Sequence, residues 1–176
     1  MNTDKVLIAG GGPVGLITGL SLARRGVPVT VLEAGPDIAM YSRAATFHST
    51  TMDIFDDLGF IEPLLEMGLC IRTMRIADAG LGESVELPFD ILEQRGITRY
   101  AFDFCLSQGQ IARIALNACE RESNIDILFG HEVVQTSQSG DEVTVQCSTE
   151  QGAKTFKVPW LIGADGAGSA VRKFLD

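Results

Sequence analysis

The sequence predicts an α/β fold, a parallel sheet carrying helices, interrupted late in the chain by a three-stranded antiparallel β-meander. Three observations lead there. Short apolar runs ended by glycine or a turn recur at Val6 to Ala9, Ile125 to Phe129 and "WLIG", as expected of strands buried on both faces. Helical patterns follow such runs, over 13–25 and 109–121. The segments "HEVVQTS", "DEVTVQCST" and "AKTFKVPW" alternate apolar and polar residues and are parted by the turns "QSGD" and "EQG", which spells a meander.

Taken in order, Val6 to Ala9 is a buried strand and Pro13 to Arg25 a helix with proline in its first turn. Gly26 stops that helix, and Pro28 to Glu33 forms a second strand. Strand, helix and strand within about thirty residues make a right-handed parallel unit the expected outcome. Ser49 to Leu58 reads as a helix halted at Gly59, with a short helical turn over Glu62 to Met67. The stretch from Leu69 to Arg99 is weakly patterned and reads as strands at Ile71 to Ala77 and Ser84 to Leu87 plus loops. Phe102 to Leu106 is a strand leading into the helix Gly109 to Arg121, where Ser107 and Gln110 have capping-box spacing. After the meander, "WLIGADGAGSAVRKFLD" runs from a buried strand through a glycine turn into a helix.

Composition narrows the function. The chain has 176 residues, 45% hydrophobic and 21% charged, with a net charge of −9. That charge argues against a broad nucleic-acid footprint and a basic membrane patch. No apolar run approaches the roughly 20 residues that span a bilayer, and the first five residues are too polar for a signal peptide. Cys70, Cys105, Cys119 and Cys147 are far apart with no CxxC pair, which argues against a zinc site or a redox-active disulfide of the thioredoxin kind. Reduced, mostly buried thiols and a cytoplasmic location are the expectation.

Chemistry concentrates in "KVLIAGGGPVGLITGLSLARRGVPVTVLEAG". Glycine costs roughly 0.5–1 kcal/mol against alanine in regular structure, so three in a row serve a conformation other residues cannot take. Gly10, Gly12 and Gly15 satisfy GxGxxG between a strand and a helix, with an acidic residue about twenty positions on. Gly10 permits the tight turn, Gly12 lets a pyrophosphate approach the main chain, and Gly15 lets helix and strand pack closely. The helix N-terminus stabilises the phosphates of a dinucleotide. Gly19, one turn on, keeps the helix close to the sheet. Glu33 ends the second strand, where its carboxylate can accept from ribose hydroxyls and would repel a 2′-phosphate, favouring FAD or NAD over NADP in this site. The candidate contacts here are Gly10, Gly12, Pro13, Val14 and Gly15, then Glu33 and Ala34.

A second glycine turn, "GADGAGSAVR", makes the cofactor specific. Asp165, Gly166, Ser169 and Arg172 match DGxxSxxR, and the chain here resembles the class A flavoprotein monooxygenases, the para-hydroxybenzoate hydroxylase-like family. Read alone, the same residues also describe a plain strand–turn–helix junction with Asp165 and Ser169 as local caps. "SRAATFHSTTMDIFDDLG" resembles the family segment whose arginine contacts FAD, which makes that residue Arg43. "LSQGQIARIAL" resembles the helix entry whose glutamine reaches the flavin's phosphate or ribityl region, which makes it Gln108; Ala112 stands where the family often has glutamate. The resemblance, which extends over nearly the whole chain, places Val133 near the adenine and Asp165 and Gly166 near the pyrophosphates.

The fold it implies is a Rossmann-like FAD-binding domain, residues 1–176, as the N-terminal part of a longer enzyme whose substrate domain is absent. The implied function is the FAD-binding part of an NAD(P)H-dependent monooxygenase that hydroxylates a phenolic ring through a flavin hydroperoxide. FAD is the cofactor, NADH or NADPH the electron donor, and a small aromatic substrate and molecular oxygen the partners, with a homo-oligomer or a complementing C-terminal half as further association. Residues 1–176 alone are expected to show little hydroxylase activity. Another flavin enzyme on the same scaffold (a halogenase, reductase or epoxidase) and a non-catalytic dinucleotide-binding or interaction module are the alternatives. No catalytic residue is assigned. His48 reads either as a group near the flavin or as a packing and hydrogen-bonding residue, His131 as an exposed strand residue, and Trp160 as a packing residue.

Overall fold

The computed structural model describes residues 5–40, 46–78, 80 and 82–175. The elements run β1 (Val6–Ala9), α1 (Pro13–Ala23), β2 (Val29–Leu32), β3 (Thr46–Phe47), α2 (Ser49–Asp57), α3 (Ile61–Met67), β4 (Leu69–Ile71), β5 (Thr73–Asp78), β6 (Glu83–Pro88), α4 (Asp90–Gln94) and β7 (Asp103–Cys105). They continue with α5 (Gln108–Cys119), β8 (Ile125–Leu128), β9 (Glu132–Ser139), β10 (Glu142–Thr149), β11 (Gly152–Val158), β12 (Trp160–Gly163) and α6 (Ala170–Lys173). The chain divides into two compact units, residues 1–41 with 109–176, and residues 42–108.

The first unit is the α/β body. Its four-stranded sheet has the order β12-β1-β2-β8, every pairing parallel. All four residues of β1 and of β2 are buried, so periodicity is lost there and a continuous apolar run is the sequence signal. Gly26, at φ +80, ends the turn after α1. A Cβ on Gly19 would press on Ile125 and Val31, so the missing side chain lets α1 lie close on the sheet. The meander β9–β10–β11 is antiparallel throughout, with a register shift between Gln146 and Cys147. It shares one core with the parallel sheet: Leu7, Ala9 and Leu32 pack in the same cluster as Val133, Val145, Cys147, Val158 and Val171. Each of the leucine and valine side chains among them contributes about 1.5–3 kcal/mol on burial.

The second unit holds a three-stranded sheet of order β3-β7-β4 and a separate ribbon, β5-β6. Met52, Phe55, Leu64 and Phe104 are among its fully buried side chains. Three elements here escaped the sequence reading: β3, β4 and α4, of two, three and five residues. Elements that short complete too little of any period to be seen as a pattern.

The structure corrects two side chains. Trp160 is 68% exposed at the start of β12 and does not pack. His131 lies just before β9 and is half-buried, with both ring nitrogens engaged. Burial pushes the Cys119 thiol up to about 12 and that of Cys147 to about 11, so both stay protonated and inert as packing residues. Among the described residues, no helix is long and apolar enough to cross a membrane, and no group of histidine, cysteine and carboxylate side chains could hold a metal ion.

Candidate functional site: two glycine turns back to back

The β1–α1 turn is closed by sterics. Gly10 sits at φ +104, and its amide donates to the Leu32 carbonyl at 2.7 Å. A Cβ on Gly10 would overlap the Ala164 carbonyl, and one on Gly15 would overlap the Gly10 carbonyl. The second turn thus lies directly against the first. The Ala164 amide donates to the Ala9 carbonyl at 2.7 Å, carrying the β1–β12 pairing one residue past the strands.

Gly12 is different. A Cβ there would meet nothing within 4 Å. It is the N-cap of α1, in extended conformation, with no side chain closing the helix end. Pro13 has no amide N–H, and the N–H groups of the following first-turn residues, Val14 and Gly15, have no helix-internal acceptor. Val14 is 68% exposed. An open glycine beside uncapped helical amides is a cradle for a diphosphate.

Glu33 turns toward this cradle. Its Oε2 accepts from the Gly11 amide at 2.7 Å and its Oε1 from the Gly35 amide at 2.9 Å. Two backbone donors hold the carboxylate in place, and each oxygen keeps further lone pairs for a sugar hydroxyl. Ala34 follows, exposed. The strand end itself is tied down: the Glu33 amide donates to Leu128, the His131 amide to the Glu33 carbonyl, and the Gly130 amide to the Gly35 carbonyl.

Asp165 is engaged locally. Its carboxylate accepts from the Ser169 hydroxyl at 2.5 Å and from the amides of Ala170 and Val171 at 2.6 and 3.1 Å. Ser169 in turn accepts from the Arg172 amide, and the Arg172 guanidinium donates to the Ala167 carbonyl. Burial raises the Asp165 pKa, but the Ser169 hydroxyl and the backbone amides of Val171, Ala170 and Asp165 itself outweigh it and leave the carboxyl below its ordinary value. The DGxxSxxR residues therefore brace their own turn, whose Gly166 stands at φ +80.

The structure gathers Gly10, Gly12, Pro13, Val14, Gly15, Glu33, Ala34, Asp165 and Gly166 around the ends of β1, β2 and β12. Val133 has a buried side chain in the shared core, so only its backbone can face a nucleotide. Gln108 is exposed at the first position of α5 and is the last residue of the second unit. Arg43 lies outside the described residues. His48 makes a 2.7 Å hydrogen bond from Nδ1 to Asp103 in the second unit. Sequence reasoning missed Gly11 and Gly35 as donors to Glu33, and Ala164 as the wall of the first turn; the triple glycine was the one visible signal.

This arrangement fits a dinucleotide, with open backbone for phosphates and a restrained carboxylate for the sugar. Residues 3–176 match the family described as "FAD binding domain". The chain is 29% identical over 171 residues to para-nitrophenol 4-monooxygenase from Pseudomonas sp. strain WBC-3, covering 97% of this chain and 42% of that protein. Among solved structures, p-nitrophenol 4-monooxygenase from Pseudomonas putida DLL-E4 superposes with a TM-score of 0.88 at 28% identity, covering 97% of this chain and 42% of the other. A flavin-dependent monooxygenase solved in complex with FAD and substrate gives a TM-score of 0.83 at 27% identity, over 97% and 31% of the two chains. The chain spans less than half the length of each of these relatives. The chain belongs to the FAD-binding domain family.

Proposed function

We propose that the protein is the FAD-binding part of an NAD(P)H-dependent monooxygenase that uses molecular oxygen to hydroxylate a small phenolic substrate. The single observation that carries the FAD assignment is the open Gly12 beside a Glu33 carboxylate gripped by the Gly11 and Gly35 amides. The activity rests on the named chemistry of the relatives, which oxidise nitrophenol and, in another case, pentachlorophenol.

In this reading the Val14 and Gly15 amides and the α1 dipole hold the diphosphate, with Gly10 and Gly15 keeping the turn tight. Glu33 accepts from the adenosine ribose and disfavours a 2′-phosphate. Asp165, Ser169 and Gly166 shape the second turn against the first, and Val133 offers backbone to the adenine. Gln108 and Arg43 complete the contacts toward the flavin. FAD, when bound, supplies the electron transfer and oxygen activation that hydroxylation of an aromatic ring requires.

Titrating the purified chain with FAD and following flavin fluorescence tests the site. Saturable binding is expected, weakened at least about tenfold by Glu33→Ala, the loss of a charge-assisted hydrogen-bonding group. Binding of NAD with none of FAD would overturn the reading in favour of a dehydrogenase-like module. For the activity, NADH or NADPH consumption by the whole protein is expected to rise with a phenol present and to yield hydroxylated product. Consumption without hydroxylated product from any phenol would favour a reductase.

A further inference from the structure

His131 is not used by the site described above, yet it is bonded on three sides. Its backbone amide donates to the Glu33 carbonyl at 2.8 Å. Its Nδ1 lies 2.8 Å from the Phe129 carbonyl, and its Nε2 lies 3.2 Å from Lys154 Nζ. Its ring stands 6.2 Å from that of Phe156.

The partners determine its chemistry. A carbonyl only accepts, so Nδ1 carries the proton; an ammonium only donates, so Nε2 must offer a lone pair. Both bonds exist together only in the neutral imidazole. Protonation removes the acceptor facing Lys154 and sets two cations side by side. Lys154 projects from β11, across the ladder from Cys147 in β10. His131 thus links the outer strands of the meander to the chain segment that ends β2 and bears the nucleotide-facing carboxylate. Gly130, its neighbour, adds a second strap through the Gly35 carbonyl. Among the described residues, Glu150 lines the same cavity of about 130 Å³ as the imidazole, Glu132 follows His131 in the chain, and Glu33 accepts the His131 amide at its backbone carbonyl.

We infer that the His131–Lys154 pair is a positioning device for the adenosine end of the FAD site, holding the Glu33 strand end in place only while His131 is neutral. The inference rests on the FAD reading above and adds a residue pair and a pH dependence to it. Protonating the ring breaks the pair, so FAD affinity is strongest where the imidazole is neutral and falls where acid protonates it.

The test is the Kd for FAD of the full chain, by flavin fluorescence, at several values between about pH 5.5 and 8. Lys154 is exposed, so Lys154→Met leaves the core untouched. It should raise Kd about threefold at the upper pH, the scale of one modest hydrogen bond, and remove most of the pH dependence. His131→Gln retains an acceptor for Lys154 and cannot titrate; it should keep the wild-type Kd at high pH and hold it at low pH. His131→Leu should match Lys154→Met, and the double variant should be no weaker than either single one. The chain has two histidines, so the difference between wild type and His131→Gln isolates this one. Wild-type Kd and pH profile in Lys154→Met and His131→Gln, with Glu33→Ala still weakened, would overturn the inference and spare the FAD reading. No effect from Glu33→Ala, or no FAD binding by the wild type, would overturn both.

Discussion

The two units spend their glycines and apolar residues differently. In residues 1–41 with 109–176, apolar runs are buried in a parallel sheet, and glycine appears where backbone must touch backbone or stay bare. In residues 42–108, the ribbon β5-β6 is exposed at every position of both strands. Its cross-strand pairs Met74/Leu87 and Ile76/Val85 place apolar side chains on one face, and all four are among the exposed large hydrophobics. The same residue types therefore signify a core in one unit and an uncovered surface in the other. Alternation shows which face of a strand is apolar; only packing shows whether that face is covered.

This contrast can be broken most severely at Gly15. A side chain there collides with the Gly10 carbonyl, and backbone cannot step aside as a flexible side chain would. Gly15→Val should abolish FAD binding and destabilise the fold by several kcal/mol, about 3 or more, seen together in an FAD titration and a thermal melt. Retained binding would mean that the turn is not the rigid cradle described.

The second unit has a comparable point in Gly68, where an added Cβ would overlap the ring of the buried Phe104. Gly68→Ala should cost about 1–3 kcal/mol, the range for overpacking, and lower the melting temperature. A neutral result would show that this core is looser than that of the α/β unit, sharpening the difference between them.

Asp165 gives a smaller, pH-dependent effect. Its carboxyl lies below the ordinary value of 3.8 in the folded protein, so its stabilisation is complete above that value. It is lost as pH falls through the depressed folded value. Asp165→Asn should lower the melting temperature near neutral pH and narrow its gap to wild type in strong acid. A constant gap across pH would assign the loss to shape and not to charge.

The smallest effect is expected on the ribbon. Ile76→Thr, at a residue 56% exposed, should shift stability by no more than about 0.5 kcal/mol, measured by urea unfolding. A larger loss would show that the apolar face is covered in solution.

What could be read in advance divides along the same line. The strand–turn–helix–strand unit was legible to within a residue or two, because Val6–Ala9 is short, apolar and followed by glycines whose spacing serves one geometry. The meander was legible through its alternation and turns. Glu33 could be placed by counting residues from Gly10. The exposure of Trp160 was not legible, since an aromatic beside a buried strand has the same pattern whether covered or bare. The ring contacts of His131 were not legible either, because Phe129 is a local partner while Lys154 comes from another strand 23 residues on.

The sequence by itself determined the order of the α/β elements, the place of the sharp turns and the residue types able to face a diphosphate and a sugar. These follow from local sterics and short-range periodicity, which act over a few residues. Only the tertiary structure decided that the Gly10 and Ala164 turns stand back to back, that Gly11 and Gly35 clamp Glu33, and that Asp165 spends its carboxylate on its own turn. The physical reason is that hydrogen bonds and steric contacts depend on which backbones meet in space. Pairing of β1 with β12, some 150 residues apart, brings those backbones together.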